Sequence, residues 1–272
     1  MKLSVIIPCY NERPYIEEVL RRVVRALPQV EKEIIVVDDG STDGTREWLV
    51  ETFGTTNPHP ALVAWTEETG WQVRFQPSEG TQGRRGDGTE TLQPCALRVI
   101  FHERNRGKGA ALRTGFAAAT GDVLVIQDAD LEYDPRDWEE MWQLIADGYA
   151  DVVYGSRFYG KPHRALYFHH YLGNKLISTL VNLLCDVTLS DIEVCYKMFR
   201  REVLEGLTLT CDDFGFEVEF TVKVAKPKRW RIYEVGIRYY GRTYAEGKKI
   251  TWKDGLKALW YIVKFWLKGG AS

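Results

Sequence analysis

The sequence is poor in cysteine and contains no long hydrophobic run. Its five cysteines are scattered, odd in number and without CxxC spacing, which argues against a disulfide framework and a zinc site. No stretch approaches the about 20 uninterrupted apolar residues of a membrane-spanning helix. The first residues, MKLSVIIPCYNE, lead directly into a predicted strand rather than a cleavable signal sequence. We therefore expect a cytoplasmic protein, with peripheral attachment to the cytoplasmic face of a membrane left open.

An excess of charge of either sign is also missing. Lysine and arginine together number 36 and aspartate and glutamate 38, so the net charge is −2. Without a global basic field, we expect no nucleic-acid partner. Hydrophobic residues make up 44% of the chain and charged residues 27%, as in ordinary globular proteins. At 272 residues, the chain can bury the core of one large α/β domain or of two small ones.

The glycine-rich turn of a dinucleotide-binding fold is absent as well. Residues 3–8 form an apolar run typical of a strand buried on both faces, and Cys9-Tyr10-Asn11-Glu12 follows Pro8 directly. A dinucleotide site would carry GxGxxG here, so the sequence argues against NAD and FAD. Tyr10 offers an aromatic face and Glu12 a hydrogen-bond acceptor, and both suit a single nucleoside.

The chain instead alternates apolar runs with amphipathic segments. Strands are predicted at 3–8, 33–38, 96–102, 122–127 and 151–154, with helices between them. This order predicts an α/β fold whose mostly parallel sheet is flanked by helices. Residues 54–94 interrupt the pattern as an insertion. Within it, 61–65 and 71–75 are predicted to pair as a hairpin and 77–94 to form a loop.

The pattern changes after Arg157. Residues 167–184 are predicted to form a helix, and its apolar side is expected to contain Leu172, Leu176, Leu180, Val181 and Leu184. Residues 190–200 are predicted to be irregular, 215–225 helical and 229–235 extended. The final helix, 252–267, is amphipathic and carries lysines at intervals. It either covers the core or lies in a bilayer interface.

Acidic residues follow the fourth predicted strand at alternate positions. Asp128, Asp130 and Glu132 would repel one another unless a cation lay among them, and Mg²⁺ or Mn²⁺ suits such oxygen ligands. A solvated acidic turn is the alternative. For Asp134, which precedes Pro135, a role as helix N-cap is the preferred interpretation.

Further polar clusters fall at the carboxyl ends of other predicted strands, where parallel sheets bind ligands. Asp38 and Asp39 are either turn formers or acceptors for a nucleobase or ribose, and we favour the second role for Asp39. Arg106-Gly107-Lys108-Gly109 places cations at the start of a predicted helix, which attracts phosphate. We expect all these groups at one edge of the sheet.

Together, SVIIPCYNE, IIVVDDGSTDGT, RNRGKGAALRTG and DADLEYDP resemble the family 2 nucleotide-sugar glycosyltransferases with the GT-A fold. The resemblance covers nearly the whole chain apart from 54–94. YGSRF, DIEVCYKMFRREVL and YYGRTYAEGKKITWKDGLKALW are similar to the polyprenyl-phosphate members, which include dolichol-phosphate mannose synthases and undecaprenyl-phosphate transferases. The resemblance implies one GT-A domain over 1–272, with a nucleotide-sugar half, 1–157, and an acceptor-side half, 158–272.

The resemblance also implies roles for individual residues. A metal-binding DxD pair would be formed by Asp128 and Asp130, with Glu132 where relatives often carry Gln. Cations that neutralise the donor diphosphate or the acceptor phosphate would be Arg157, Arg242 and Lys248. The alternative is a solvated basic loop for Arg242 and Lys248 and a structural ion pair for Arg157. The nucleoside would be surrounded by Pro8, Tyr10, Glu12 and Asp39. Many relatives carry C-terminal transmembrane helices, so peripheral attachment or a membrane-anchoring partner would bring this chain to the lipid.

The implied reaction moves a hexose from a UDP- or GDP-sugar to a polyprenyl phosphate with inversion, assisted by Mg²⁺ or Mn²⁺. A phosphate acceptor is already ionised at neutral pH and needs no strong base. A hydroxyl acceptor would need one, and Glu217 or Glu219 is the candidate. A non-catalytic nucleotide-sugar-binding subunit is the remote alternative. A sugar-1-phosphate nucleotidyltransferase would carry a glycine-rich triphosphate loop where this chain has CYNERPYIEE.

Overall fold

The computed structural model describes residues 1–54, 61–66, 68–75, 95–165, 167–243, 246 and 252–268. In chain order, the elements are β1 (Leu3–Cys9), α1 (Ile16–Arg25), β2 (Lys32–Asp38), α2 (Thr45–Phe53), β3 (Ala61–Thr66), β4 (Gly70–Phe75), β5 (Cys95–Phe101), α3 (Lys108–Ala118), β6 (Val123–Ile126), α4 (Trp138–Ala146), β7 (Val152–Ser156), α5 (Phe168–Cys185), β8 (Lys197–Arg200), α6 (Phe216–Ala225), β9 (Ile232–Gly236) and α7 (Trp252–Lys268). The five strands predicted for the first half of the chain apart from the insertion therefore lie close to observed strands, which are β1, β2, β5, β6 and β7.

The strands form one sheet with the order β4-β3-β5-β2-β1-β6-β8-β7-β9. Within the described ranges, only β3 and β8 run against the other strands. The central strands β1, β2 and β6 are buried almost throughout, because their Val, Ile and Leu side chains are covered on both faces. This arrangement confirms the predicted α/β fold with a mostly parallel sheet.

The parallel pairing sets the position of the polar clusters. Cys9 at the end of β1 pairs with Asp38 at the end of β2, and Asp38 pairs with Phe101 at the end of β5. On the other side of β1, Ile6 pairs with Ile126, the last residue of β6. The loops that follow these four strands therefore leave the sheet at the same edge, as predicted.

Part of the insertion and the chain after Arg157 also follow the sequence. β3 and β4 pair antiparallel as the expected hairpin, whereas residues 77–94 lie outside the described residues. The helices predicted at 167–184 and 215–225 correspond to α5 and α6. In the described parts of the chain, no helix combines the length and apolar character needed to cross a membrane.

Two predictions for this half were wrong. Residues 190–200 are not irregular throughout, because β8 pairs antiparallel with both β6 and β7. Lys197 interrupts the apolar pattern of β8, yet it is fully buried against Glu217 and so belongs to a strand. The predicted apolar side of α5 is also divided: Val181 is buried, but Leu172 and Leu176 are more than half exposed.

Candidate active site

The acidic motif after β6 is divided between two cations. The carboxylate of Asp128 lies 2.8 Å from the ammonium of Lys108, the first residue of α3. The same ammonium lies 3.2 Å from Glu217 Oε1, and Lys197 binds Glu217 Oε2 from the other side. These four side chains thus form a row of alternating charges, partly buried at Asp128 and Lys108 and buried at Glu217 and Lys197, which connects the donor-side loops to α6.

Attraction between neighbouring opposite charges sets the ionisation of Asp128 and Lys108. Burial disfavours the charged form of both Asp128 and Lys108. The opposite charges outweigh burial, so the pKa of Asp128 is lowered and that of Lys108 is raised. We therefore expect both groups to be ionised at neutral pH.

Two glycines allow Lys108 to reach this position. Gly107 has a φ of +98°, which L side chains rarely adopt. A Cβ on Gly107 would overlap the carbonyl oxygen of Asp212, and one on Gly109 that of Cys211. The backbone of the loop before α6 therefore packs directly on the start of α3, and a side chain here would push Lys108 away from Asp128.

The second cation is Arg242, which lies among three carboxylates. Its guanidinium donates to Asp130 Oδ2 at 2.6 Å, to Glu12 Oε2 at 3.2 Å and to Glu132 Oε1 at 3.3 Å. These carboxylates come from the loops after β1 and β6. The three acidic residues are called the Arg242 cluster below.

The Arg242 cluster has more negative charge than Arg242 neutralises. Burial, reinforced by the charges of Asp128 and Glu132, raises the pKa of Asp130 to about 8 although Arg242 opposes the shift. In the described part of the chain, no three acidic, His or Cys side chains are close enough together to hold a metal by themselves. The donor set nevertheless fits a hard divalent cation, because it consists of buried and partly buried carboxylate oxygens that are short of positive charge.

Glu132 also holds the segment that carries Arg242. Its Oε1 accepts from the Arg242 backbone N–H at 2.7 Å, its Oε2 from the Tyr239 hydroxyl at 3.0 Å, and its carbonyl oxygen from the Tyr240 N–H at 2.8 Å. Its position beside Asp130 agrees with the predicted acidic cluster. Its metal-ligand role stays a prediction.

The predicted nucleoside residues lie on the same edge. Asp39 is buried and accepts from His102 Nδ1 at 2.6 Å, the Arg106 N–H at 2.9 Å and the Gly107 N–H at 2.7 Å. These bonds tie β2 to the loop before α3 and occupy three of about four acceptor positions of the carboxylate. Pro8 is the next-to-last residue of β1, and Tyr10 is exposed in the loop that follows the strand. Their nucleoside contacts stay predictions.

Arg157 forms a buried ion pair. Its guanidinium donates to both oxygens of Asp191, each at 2.7 Å, and its backbone N–H adds a third bond at 3.1 Å. Burial opposes the charge of Arg157, but Asp191 raises its pKa above the usual range. Two bonds leave three of the five guanidinium N–H groups for other acceptors. The guanidinium also lies 5.3 Å from the ring centre of Tyr239.

A cavity of about 400 Å³ opens beside this ion pair. Its cationic lining comes from Arg157, Arg164 and Lys175, and its aromatic lining is Phe158, Tyr167, Phe168, Tyr171 and Tyr239. Sequence reasoning missed Arg164 and Lys175, although the dense His and aromatic content of YFHHYLGNK was a usable signal. Tyr239 connects this cavity to the Arg242 cluster, because it lines the cavity and bonds Glu132.

The two candidate bases of α6 lie in different surroundings. Glu219 accepts bonds from Thr210, Cys211 and Lys223 and so fixes the chain before α6. Glu217 Oε1 is buried and, among the described residues, accepts no well-aligned hydrogen bond despite its proximity to Lys108. Glu193 is similar, because its Oε1 is buried and accepts no hydrogen bond within the described part of the chain. Burial and the nearby charge of Glu217 raise the pKa of Glu193 to about 7.

Lys248, the other predicted cation, lies outside the described residues. The described part of its loop includes Arg242 and the 3.1 Å bond from Arg164 to the Gly241 carbonyl oxygen. The structure therefore brings Asp128, Asp130 and Glu132 together with Glu12, Lys108 and Arg242, and it places Arg157 on the cavity side of Tyr239.

Comparison with known proteins identifies relatives of this chain. Dolichol-phosphate mannosyltransferase from Pyrococcus furiosus is 29% identical over 274 aligned residues, covering 97% of this chain and 64% of that protein. The chain thus spans less than two thirds of this relative's length. Residues 4–73 and 87–208 match the profile of glycosyl transferase family 2.

Solved structures of glucosyl-3-phosphoglycerate synthase from Mycobacterium tuberculosis are similar in fold. The complex with Mn²⁺, UDP and phosphoglyceric acid gives a TM-score of 0.63 at 17% identity and covers 100% of this chain and 79% of that one. The complex with Mn²⁺, UDP-glucose and glycerol 3-phosphate gives 0.62 at 17% identity, with coverage of 97% and 79%. This likeness confirms the GT-A fold. Because the profile match extends over more than half of its residues, the chain belongs to glycosyl transferase family 2.

Proposed function

We propose that this protein is a metal-dependent, inverting glycosyltransferase that moves a hexose from a UDP- or GDP-sugar to a polyprenyl phosphate. The observation that carries the proposal is the adjacency of two sites. A cationic, aromatic cavity and an acidic cluster share Tyr239, which lines the first and hydrogen-bonds Glu132 of the second. The relative from Pyrococcus furiosus is a dolichol-phosphate mannosyltransferase, and this similarity supports a lipid phosphate acceptor.

The donor half of the site is residues 1–157 in this proposal. Pro8, Tyr10, Glu12 and Asp39 surround the nucleoside, and Lys108 faces the diphosphate from the start of α3. The positive end of a helix and an ammonium group both favour phosphate at this position. UDP-bound neighbours of the same fold support a nucleotide-sugar donor.

Asp128 and Asp130 are the residues that would hold Mg²⁺ or Mn²⁺, with Glu132 beside them. A bound divalent cation supplies Lewis-acid stabilisation of the negative charge that develops on the departing nucleoside diphosphate. Arg242, which lies among the carboxylates of the Arg242 cluster, would stabilise the same negative charge. Lys108 remains paired with Asp128 and keeps that carboxylate ionised.

The acceptor half is residues 158–272, together with Arg157. Arg157, Arg164 and Lys175 would orient an acceptor phosphate within the cavity. The aromatic side chains around them suit the first isoprene units. The attacking oxygen of a phosphate monoester is already ionised, so positioning rather than proton removal is the main contribution of the protein.

A hydroxyl acceptor is the second candidate, and one observation favours it. Glu217 Oε1 is a buried acceptor without a well-aligned donor in the described residues, as a general base in the free enzyme would be. Its partner oxygen is occupied by Lys197, and Lys108 lies beside it, so it would need to exchange an ion pair to receive a proton. The phosphate acceptor needs no such exchange and is therefore preferred.

A matrix assay tests the proposal. Purified protein with Mn²⁺ or Mg²⁺ is offered UDP- and GDP-sugars, with and without a short-chain polyprenyl phosphate, and nucleoside diphosphate release is measured. We expect release that depends on the lipid phosphate and is lost in Asp130→Ala. Asp147→Ala, which removes an exposed carboxylate at the end of α4, is the matched control and should retain activity.

The same assay separates the alternatives. Glu217→Gln should leave turnover within a few-fold for a phosphate acceptor, whereas a hydroxyl acceptor requires a loss of orders of magnitude. Donor binding without turnover on any acceptor would favour a non-catalytic subunit. Failure to bind any nucleotide-sugar would overturn the proposed function.

A further inference from the structure

Helix α5 turns an apolar stripe toward solvent. Phe168, Leu172, Leu176 and Leu183 recur at the spacing of one helix face, and each is between 52% and 77% exposed. The opposite side is buried through Ile177, Ser178, Val181 and Cys185. The helix is therefore already anchored, and its outer leucines are not needed for the core. Such a contiguous exposed apolar patch marks an interaction surface.

Helix α7 carries a second stripe beside the first. Trp260, Val263 and Leu267 are between 53% and 68% exposed, whereas Ala258, Ile262 and Phe265 are buried. The indole N–H of Trp266 donates to the Leu184 carbonyl oxygen at 2.9 Å, which holds the ends of α7 and α5 together. The residues next to this bond, Leu267 and Leu183, are both exposed, so the two stripes end close to each other.

We propose that the outer faces of α5 and α7 form one docking surface for an anionic lipid bilayer. The proposal rests on the proposed function, because it explains how a lipid-linked phosphate would reach the cavity. It also extends the second of the two alternatives that the sequence left open for the final helix, because α5 joins α7 at the interface.

The charge of the two helices suits anionic headgroups. The 18 residues of α5 contain no aspartate or glutamate but include Lys175, His169 and His170. On α7, the Lys264 ammonium lies 4.7 Å from the ring centre of Trp260, and Lys257 is exposed. Aliphatic and aromatic side chains flanked by lysines are typical of helices that lie in the headgroup region.

Continuity with the cavity favours a lipid over a protein partner. Phe168 belongs to the exposed stripe and also lines the cavity, as does its neighbour Tyr171. A phosphate held by Arg157, Arg164 and Lys175 would therefore have its hydrocarbon chain leave across Phe168 onto the apolar stripe. A bilayer at this surface would keep that chain out of water along its whole path.

Vesicle co-sedimentation tests the surface. Wild-type protein is mixed with phosphatidylcholine vesicles that contain either no or about one third phosphatidylglycerol. We expect binding to the anionic vesicles and at least a tenfold loss of affinity in the double variant Leu172→Glu/Leu176→Glu. The control Tyr149→Glu adds a charge at an exposed aromatic residue outside the two helices and should bind like wild type.

The double variant Leu172→Glu/Leu176→Glu is called the stripe variant below. Three results would overturn the proposal: no binding of the wild type to anionic vesicles, equal binding of the stripe variant, or a wild-type dimer in sedimentation velocity that is absent in the stripe variant. The last result would assign the surface to a second copy of the chain. Circular dichroism and thermal unfolding of the stripe variant confirm that it folds.

An acceptor comparison keeps this proposal separate from the proposed function. With a water-soluble short-chain polyprenyl phosphate, the stripe variant should release nucleoside diphosphate at the wild-type rate. With a long-chain acceptor embedded in vesicles, its rate should fall at least tenfold. If the wild type turned over neither acceptor, the proposed function would be refuted. Vesicle binding would still test the docking surface. Equal rates of both proteins on the embedded acceptor would contradict the docking surface alone.

Discussion

The guanidinium of Arg242 lies 2.6 Å from the carboxylate of Asp130, although the two residues are 112 positions apart in the chain. In the proposed function, this carboxylate would hold a divalent cation, so the contact places a fixed positive charge on an expected metal ligand. Arg242 and the metal would then compete for the same negative charge. A bound nucleotide-sugar would allow both to be accommodated, because its diphosphate supplies further negative charge.

The first prediction concerns this competition. In Arg242→Gln, we expect Mn²⁺ alone to bind about tenfold more tightly, which corresponds to about 1.4 kcal/mol for a lost like-charge repulsion. Affinity for the nucleotide-sugar should fall, because the diphosphate loses a cation. Isothermal titration calorimetry measures both affinities.

Arg238→Gln is the matched control for this prediction. Arg238 belongs to the same chain segment but binds Asp137, outside the Arg242 cluster. Its loss should leave Mn²⁺ affinity unchanged. Equal Mn²⁺ affinity in wild type and Arg242→Gln would refute the competition.

A second prediction concerns the pH dependence of stability. Burial and Glu217 raise the pKa of Glu193 to about 7, above the 4.5 of an ordinary glutamate, so the folded protein holds this proton more tightly than the unfolded chain. The resulting stability is fully present below about pH 4.5 and is lost as the pH rises through about 7. Glu193→Gln should remove this loss. Relative to wild type, the variant should gain about 1–2 kcal/mol in unfolding free energy between pH 5 and pH 8.

Urea unfolding at pH 5 and pH 8 measures the effect. Glu205→Gln is the control, because Glu205 is exposed and its removal should not change the difference between the two pH values. If wild type and Glu193→Gln lost stability in parallel between pH 5 and pH 8, Glu193 would not be the titrating group.

The third prediction tests the role of Arg157 in the cavity. Arg157→Lys keeps the charge but cannot reproduce the two parallel bonds to Asp191, so the position of the charge becomes less defined. We expect KM for the polyprenyl phosphate to rise about tenfold with little change in KM for the nucleotide-sugar. Steady-state kinetics with each substrate varied in turn gives both constants.

A second bidentate pair provides the control for Arg157. Arg231 binds Asp151 through two guanidinium nitrogens at 2.9 and 2.7 Å, at the junction of β7 and β9 away from the cavity. Arg231→Lys should alter stability slightly and neither KM. An equal rise of both KM values in Arg157→Lys would indicate a general structural defect rather than acceptor binding.

The fourth prediction concerns the close approach of α3 and the loop before α6. Gly109→Ala should displace Lys108 from Asp128, because the new methyl group overlaps the Cys211 carbonyl oxygen. We expect a loss of about 1–3 kcal/mol in unfolding free energy and weaker nucleotide-sugar binding. Gly173→Ala in α5 meets no atom within 4 Å and should be neutral or slightly stabilising. If Gly109→Ala matched Gly173→Ala, Lys108 would not depend on this packing.

Local pattern was enough to predict the strands of the first half of the chain and the motifs at their ends. The apolar runs at β1, β2 and β6 are short and rich in β-branched residues, which is typical of a strand covered on both faces. Asp134 also behaves as its position before a proline suggested: its side chain accepts from the Arg136 N–H and caps the turn that leads into α4. In these cases, the information lies within a few neighbouring residues.

Local sequence pattern could not predict which side of α5 is exposed. Its sequence is apolar on more than one side, so periodicity could not decide whether Leu172 and Leu176 face the core or solvent. Helices α6 and α7 pack against α5 on one side, and the leucines on the other side are left exposed. Likewise, Lys197 looked like an interruption until Glu217 from α6 provided its counter-charge.

The fold could be predicted from apolar periodicity, and the resemblance of short motifs to known proteins pointed to the glycosyltransferase family and to the acidic motif. The pairing of the charges became visible in three dimensions: Lys108 with Asp128, Arg242 with Asp130, and Arg157 with Asp191. Coulombic attraction depends on distance in space and on burial, and neither can be inferred from separation along the chain.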